Sequence, residues 1–290
     1  MRFVHSFGTR PMGINMGDEN GLKRILGNIC YYALSVSYLK MFGQKIVLHT
    51  DSLGESLMSH IPYDEIILTS DEIPENISPR FWAFSKMWAL EQEPLDSIHI
   101  DGDVFIKKES LINDLLESNY DLLAQSFEDT VKYQKLAHIC WKDPIYCESK
   151  GLNVDEYGAY NTGIMGFGNQ ELKDKFLSGY KDLVLHYSDK FGDELLQLSS
   201  HCPDIIFEQK YIYQLSKNYN VKLLLDSSKL PTEFRTQSNE IGYQHVFSNV
   251  KFNQIDKCLY VLKNIDFDLY KKTSKICWLI SKDFQNGKSI

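Results

Sequence analysis

Apolar positions recur in two rhythms over the first 125 residues. Short apolar or alternating runs at Arg2 to Phe7, Lys45 to His49, Glu65 to Leu68, Ile98 to Ile106 and Tyr120 to Gln125 predict strands. Between them Leu22, Ile25, Ile29, Tyr32, Val36 and Leu39 fall at helical spacing, and Gly43 is placed to end that helix. Ser52 to His60, stopped by Pro62, reads as a short helix. Phe81, Phe84, Trp88 and Leu90 behind Pro79, then Leu111, Leu115 and Leu116, predict two more. Strand and helix alternate, which predicts an α/β protein with a mainly parallel sheet and right-handed crossovers.

The second half is less regular. Phe127 to Val154 shows no period, and Tyr157 to Phe167 reads as a glycine-punctuated strand. Glu171 to Tyr187 and Asp204 to Leu215 predict amphipathic helices, and Val221 to Leu225 a late strand. From Pro231 the pattern is loop-like, passes through Gly242 to Phe247, and resumes as a helical tail from about Ile255. The organisation expected is one domain over residues 1–253 and a C-terminal helical appendage over 254–290.

Composition narrows the function classes. A chain of 290 residues that is 43% hydrophobic can bury a full core. A formal charge of −8 argues against a general nucleic-acid binder, which needs a basic face for phosphates. The six cysteines (Cys30, Cys140, Cys147, Cys202, Cys258 and Cys277) form no CxxC pair and no zinc spacing, so reduced, mostly buried thiols are expected. The polar start, Met1 to Phe7, does not resemble a signal peptide, and no run of about 18 apolar residues occurs. A soluble, cytoplasmic protein is the expectation.

The candidate chemistry lies at strand ends. Asp101-Gly102-Asp103 follows an apolar run, and Thr50-Asp51 closes the second strand. In parallel sheets ligands bind outside the carboxyl ends of the strands, so the two coincide where a site belongs. A bare DxD is more often a solvated turn. Joined by an imidazole, two carboxylates suit a hard divalent ion such as Mn²⁺ or Mg²⁺, and His245 is the candidate third ligand. Lys251 could add a point charge toward phosphates. Taken singly, His245 is more often a satisfied core or surface histidine, and Lys251 a solvated charge.

These pieces resemble a GT-A glycosyltransferase, nearest to the retaining bacterial enzymes of family eight and related polysaccharide-synthesis transferases. The matching stretches are VLHTD at 47–51, FSKMWAL at 84–90, HIDGDVFI at 99–106, YNTGIMGF at 160–167, FEQ at 207–209 and QHVFSNVK at 244–251, in the family's order. The family's closing pattern of His, two residues, Gly, two residues, Lys-Pro-Trp is broken, with Ser248, Lys251, Phe252 and Asn253 standing in.

The resemblance implies a Rossmann-like GT-A sheet flanked by helices. The activity it implies is metal-dependent transfer of a sugar from a nucleotide-diphosphate donor, UDP by family habit, to a hydroxyl acceptor. By the same token Thr50 and Asp51 would hold base and ribose, and Lys86 would reach the diphosphate or donor sugar. Asp101 would touch ribose and metal, Asp103 and His245 would bind the metal, and Lys251 the phosphates. Asn161, Glu208 and Gln209 would serve the sugar and anomeric carbon. Glu208 is a general base if the reaction inverts, and a stabiliser of the oxocarbenium-like centre if it retains. The structural alternatives are a turn cap for Asp51, a snorkelling Lys86, a strand bend at Asn161 and the polar face of a helix at Glu208.

Bacterial surface-polysaccharide assembly, with a glycan or lipid-linked acceptor, is the setting the resemblance implies. In the tail Tyr270, Lys271, Lys272, Lys275, Trp278 and Lys282 mix basic and aromatic residues. They suit either an anionic membrane or, more commonly, packing on the domain itself. Competing readings are a DxD phosphatase, a nucleotidyltransferase, or a non-catalytic nucleotide-sugar-binding protein on a transferase fold.

Overall fold

The computed structural model describes residues 2–10, 19–128, 143–153, 156, 158–197, 205–226, 231–246 and 253–286. Lys251, Cys140 and Cys202 lie outside the described residues. The strands are β1 (Arg2–Phe7), β2 (Ile46–Thr50), β3 (Glu65–Ile67), β4 (Ser97–Ile100), β5 (Val104–Ile106), β6 (Leu122–Glu128), β7 (Ala159–Phe167), β8 (Val221–Leu225) and β9 (Tyr243–His245). Seven of them form one sheet in the order β3-β2-β1-β4-β7-β6-β8. The run from β3 to β4 is parallel, β8 is parallel to β6, and β7 runs against both its neighbours. The mainly parallel α/β sheet expected from the strand–helix rhythm is therefore present.

Helices cover both faces, because successive strand residues point to opposite sides. On one face α1 (Glu19–Met41) packs with Phe3, Leu48, Ile98 and Ile100. On the other, α3 (Phe84–Gln92, after α2, Ser52–Met58) shares a core with Tyr180 and Tyr187 of α6 (Gln170–Gln197) and with Met165 and Phe167 of β7. The remaining helices are α4 (Glu109–Glu117), α5 (Pro144–Ser149), α7 (Tyr211–Leu215), α8 (Pro231–Ile241), α9 (Ile255–Ile265) and α10 (Phe267–Gln285). Helix α1 stops where expected. Gly43 takes φ +66°, and the Gly43 and Gln44 amides return to the Lys40 and Leu39 carbonyls.

Three expectations need correction. Ile98 to Ile106 is not one strand: β4 belongs to the main sheet and β5 to a two-stranded ribbon with β9. Asp101-Gly102-Asp103 is the turn between them, closed by Val104 N–H donating to the Asp101 carbonyl at 2.9 Å. Residues 231–241, read as loop-like, form α8. Proline opens that helix and Gly242 at φ +76° closes it, but its sparse apolar residues leave no periodic signal. The stretch read as irregular holds α5, capped by the Asp143 carboxylate accepting from the Tyr146 amide, and β6 runs on to Glu128.

The two C-terminal helices pack on α1. Cys258 and Leu262 of α9 and Leu269, Cys277 and Ile280 of α10 lie in the same core cluster as Ile29 and Cys30 of α1. Cys30 and Cys277 bring their sulfurs to 3.8 Å, and both are free thiols. No helix among the described residues is long and apolar enough to cross a membrane.

Candidate functional site

The β4–β5 turn sits at the carboxyl end of the central strand β4. A side chain at Gly102 would collide with the Tyr32 ring, so only glycine lets α1 close on this turn. Tyr32 is held by donating its hydroxyl to the Ser6 carbonyl at 2.5 Å. The ribbon then delivers the histidine: Val104 pairs with His245, and Val246 N–H donates to the Asp103 carbonyl at 3.0 Å. His245 Nε2 lies 3.3 Å from Asp103 Oδ1. Asp101, Asp103 and His245 each offer a ligand atom, and these atoms lie within 4.8 Å of one another.

Beneath the turn is a buried ionic network. Lys86 Nζ, on α3, lies 3.2 Å from Asp101 Oδ1 and 2.8 Å from Glu208 Oε1, and donates to the Thr162 carbonyl at 2.6 Å. Thr162 Oγ1 donates to the same Glu208 oxygen at 2.6 Å. Burial pulls the Lys86 pKa down, but Asp101 and Glu208 together push it above its ordinary value. Burial pushes the Glu208 carboxyl up against the pull of Lys86. One ammonium, Lys86, thus faces two carboxylates, Asp101 and Glu208, and Asp103 beyond them lies against His245. A divalent cation beside Asp101 and Asp103 would balance the charge, and two carboxylates with one imidazole are a donor set that Mn²⁺ or Mg²⁺ accepts. The residues fit the ion.

Strand β7 supplies the other wall. Its register against β6 slips between Ala124 and Ser126, leaving Thr162, Gly163 and Ile164 opposite Gln125. Such a bulge re-aims backbone groups. Here Gly163 C=O accepts from the Asp101 amide at 2.9 Å while Thr162 C=O takes Lys86. Asn161 Oδ1 accepts from the Gly163 amide at 3.1 Å, and its Nδ2 donates to Glu128 at 3.0 Å.

Two strands away, at the end of β2 and beyond β1, Asp51 caps α2. One carboxylate oxygen accepts from the Gly54 amide at 2.7 Å, and the other from the Thr9 amide and hydroxyl at 2.6 and 2.9 Å. The Thr50 hydroxyl is buried and donates to the Phe7 carbonyl at 2.6 Å. Both residues therefore tie the β1 and β2 ends together.

Glu208 and Gln209 lie in a π-helical turn, Ile205–Lys210, rather than at the start of an α-helix; Glu208 is 2% exposed and Gln209 partly buried. The structure thus gathers Asp101, Asp103, His245, Lys86 and Glu208 around one turn, with Asn161 on the β7 wall. Sequence reasoning singles out Asn161-Thr162-Gly163 as a pocket wall but misses Gln125 and Tyr243. Tyr243, two residues before His245 on one strand face, was the available signal.

Among solved structures the chain is similar to the galactosyltransferase LgtC in complex with donor and acceptor sugar analogs. The TM-score is 0.43 and the identity 13%, covering 89% of this chain and 95% of that one. It is also similar to mouse xyloside xylosyltransferase 1 in its apo form, at TM-score 0.37 and 14% identity, covering 77% and 84%. A third is the glycosyltransferase GlyE of Streptococcus pneumoniae TIGR4, at 0.32 and 13%, covering 70% and 44%. None of the curated proteins matches the chain. A family model does, over residues 1–279, and its description is a family of unknown function, DUF6734. With that match running over almost the whole sequence, the chain belongs to the DUF6734 family.

Proposed function

We propose that the chain is a glycosyltransferase that moves a sugar from a nucleotide-diphosphate donor, UDP-linked, to a hydroxyl acceptor, with Asp101, Asp103 and His245 holding Mn²⁺ or Mg²⁺. The observation that carries this reading is the convergence of two carboxylates and an imidazole at the carboxyl end of the central strand. That is where sheets of this kind take ligands. The order of the sequence matches around Asp51, Lys86, Asp101, Asn161, Glu208 and His245 supports it further.

When bound, the cation supplies charge neutralisation for the donor diphosphate. Asp101 and Asp103 orient it, and Asp101 also reaches a ribose hydroxyl. Thr50 and Asp51 shape the rim against which base and ribose lie. Lys86 keeps Asp101 in place and offers positive charge toward the donor. Asn161 faces the sugar hydroxyls, Lys251 adds charge at the phosphates, and Glu208 with Gln209 supplies negative and polar groups near the anomeric carbon. Retention follows from the family-eight resemblance.

Bacterial surface-polysaccharide assembly on the inner face of the membrane is part of the same reading. It is supported by the outer face of α9 and α10, where Tyr260, Phe267 and Trp278 are exposed. Lys271 lies over the Phe267 ring and Lys282 over the Trp278 ring. Rings beside ammonium groups suit an anionic headgroup layer.

The test is a thermal-shift panel of UDP-, GDP- and CMP-sugars, each with Mn²⁺ or EDTA, on the wild type and Asp103→Ala. A ligand at a hundred times its dissociation constant adds roughly 2.7 kcal/mol. Stabilisation by one nucleotide class that needs Mn²⁺ and vanishes in Asp103→Ala is expected; no shift with any nucleotide would sink the donor site. Binding without sugar transfer would favour a nucleotide-sugar-binding protein. The internal pairing of Asp51, Lys86 and Glu208 speaks for that second reading.

A further inference from the structure

His245 has two ring nitrogens, and only one can face a cation. Nε2 points to Asp103, and Nδ1 lies 2.8 Å from the side-chain oxygen of Gln125. That same oxygen accepts the Tyr243 hydroxyl at 2.7 Å. An amide oxygen only accepts, so the proton between Gln125 and His245 must belong to Nδ1. A neutral ring then turns its Nε2 lone pair toward the Asp103 carboxylate 3.3 Å away, a contact that a cation between them would relieve. We propose that Gln125 is a positioning residue that fixes His245 in the Nδ1–H tautomer and thereby prepares Nε2 as a metal ligand.

The surroundings are built around this contact. Gln125 is 1% exposed, so its amide needs partners inside the protein. Tyr243 and His245 stand two residues apart on β9 and therefore share a face, which turns both onto one oxygen. The β7 bulge brings Gly163 opposite Gln125, and a Cβ on Gly163 would collide with both His245 Nδ1 and Gln125 Oε1. Glycine leaves the space in which amide and imidazole meet. A reversed amide would donate to Nδ1 and move the imidazole proton to Nε2, where it would block the metal position.

The inference rests on the proposed metal site, and two readouts separate them. The first is long-range ¹⁵N–¹H correlation of the histidines in the metal-free protein at mildly alkaline pH, with His245 assigned by comparison with His245→Asn. An Nδ1-protonated ring is expected, and an Nε2-protonated ring overturns the inference. The second is Mn²⁺ binding, followed by the electron paramagnetic resonance of the free ion. Gln125→Leu should weaken binding about 10–100-fold. Gln125→Glu, which keeps an accepting oxygen, should retain it. A folded Gln125→Leu protein that binds Mn²⁺ like the wild type overturns the inference as well. If that variant does not fold, the wild-type tautomer decides. Absence of Mn²⁺ binding by the wild type, or equal binding by Asp103→Ala, overturns the metal site itself whatever the tautomer.

Discussion

Lys86 and Glu208 form a buried ion pair at 2.8 Å, with side-chain exposures of 6% and 3%. Lys86 spends its three donors on Glu208, Asp101 and the Thr162 carbonyl, so it locks α3, the β4–β5 turn and β7 to one point.

Removing one partner of a buried pair leaves the other uncompensated, which costs about 3–5 kcal/mol. Lys86→Met should therefore destabilise by that amount in urea unfolding followed by circular dichroism. Lys86→Met combined with Glu208→Gln should recover part of the loss, since the stranded charge is gone. A single mutant as stable as the wild type would show that water reaches the pair.

Gly163→Ala tests the bulge. The added methyl meets the movable ends of His245 and Gln125 rather than backbone. Folding should survive at a cost of about 1–3 kcal/mol. His245 must swing away, however, and Mn²⁺ binding should fall much further than stability does. Melting temperature and Mn²⁺ titration on the same sample measure both. An unchanged Mn²⁺ affinity would remove His245 from the site.

What could be read in advance follows from how local each signal is. The β2 and β4 ends carry their acids directly after apolar runs, so Asp51, Asp101 and Asp103 could be placed from sequence. The DxD turn was mistaken for strand because Val104 to Ile106 is as apolar as β4, and nothing local says that β5 leaves the sheet. Gln125 looked like the polar end of a strand. Its role depends on a register slip against β7 and on a histidine from a distant ribbon, and neither leaves a trace near position 125. Helix α8 was missed for the opposite reason: it is solvated, so its caps speak and its period does not.

Acid should loosen the fold through its histidines before its carboxylates. Burial lowers the His5 pKa to about 3 and that of His60 to about 4. Their ordinary value is 6.5, so between that and the folded values the unfolded chain binds more protons. Stability is full above the unfolded pKa and is lost as pH falls through this window. The Glu93 carboxyl, pulled to about 2 against burial by His49, Arg2 and Ser97, adds its own loss only below the ordinary carboxylate range. Melting temperature should thus already decline between neutral pH and the carboxylate range. His60→Leu should flatten part of that slope, because burial is the main cause that keeps the His60 imidazole neutral. A melting temperature that stays level until carboxylates titrate would contradict the account.

The tail offers the last test, because its place in the core makes a claim about folding. Cys258, Leu262, Leu269, Cys277 and Ile280 are buried against α1, whose Ile29 and Cys30 also touch the sheet-side core. Burying one large apolar side chain is worth about 1.5–3 kcal/mol. Removing residues 254–290 would forfeit several of these and uncover their partners on α1. That sum rivals the roughly 5–15 kcal/mol by which a whole domain is stable. A chain of residues 1–253 should therefore be insoluble or lack a cooperative melting transition. The substitutions Tyr260→Ser, Phe267→Ser and Trp278→Ser, on the exposed face of the same hairpin, should leave the melting temperature nearly unchanged. If the shortened chain instead melts cooperatively near the wild-type temperature, α9 and α10 are an independent unit and α1 is stable without their cover.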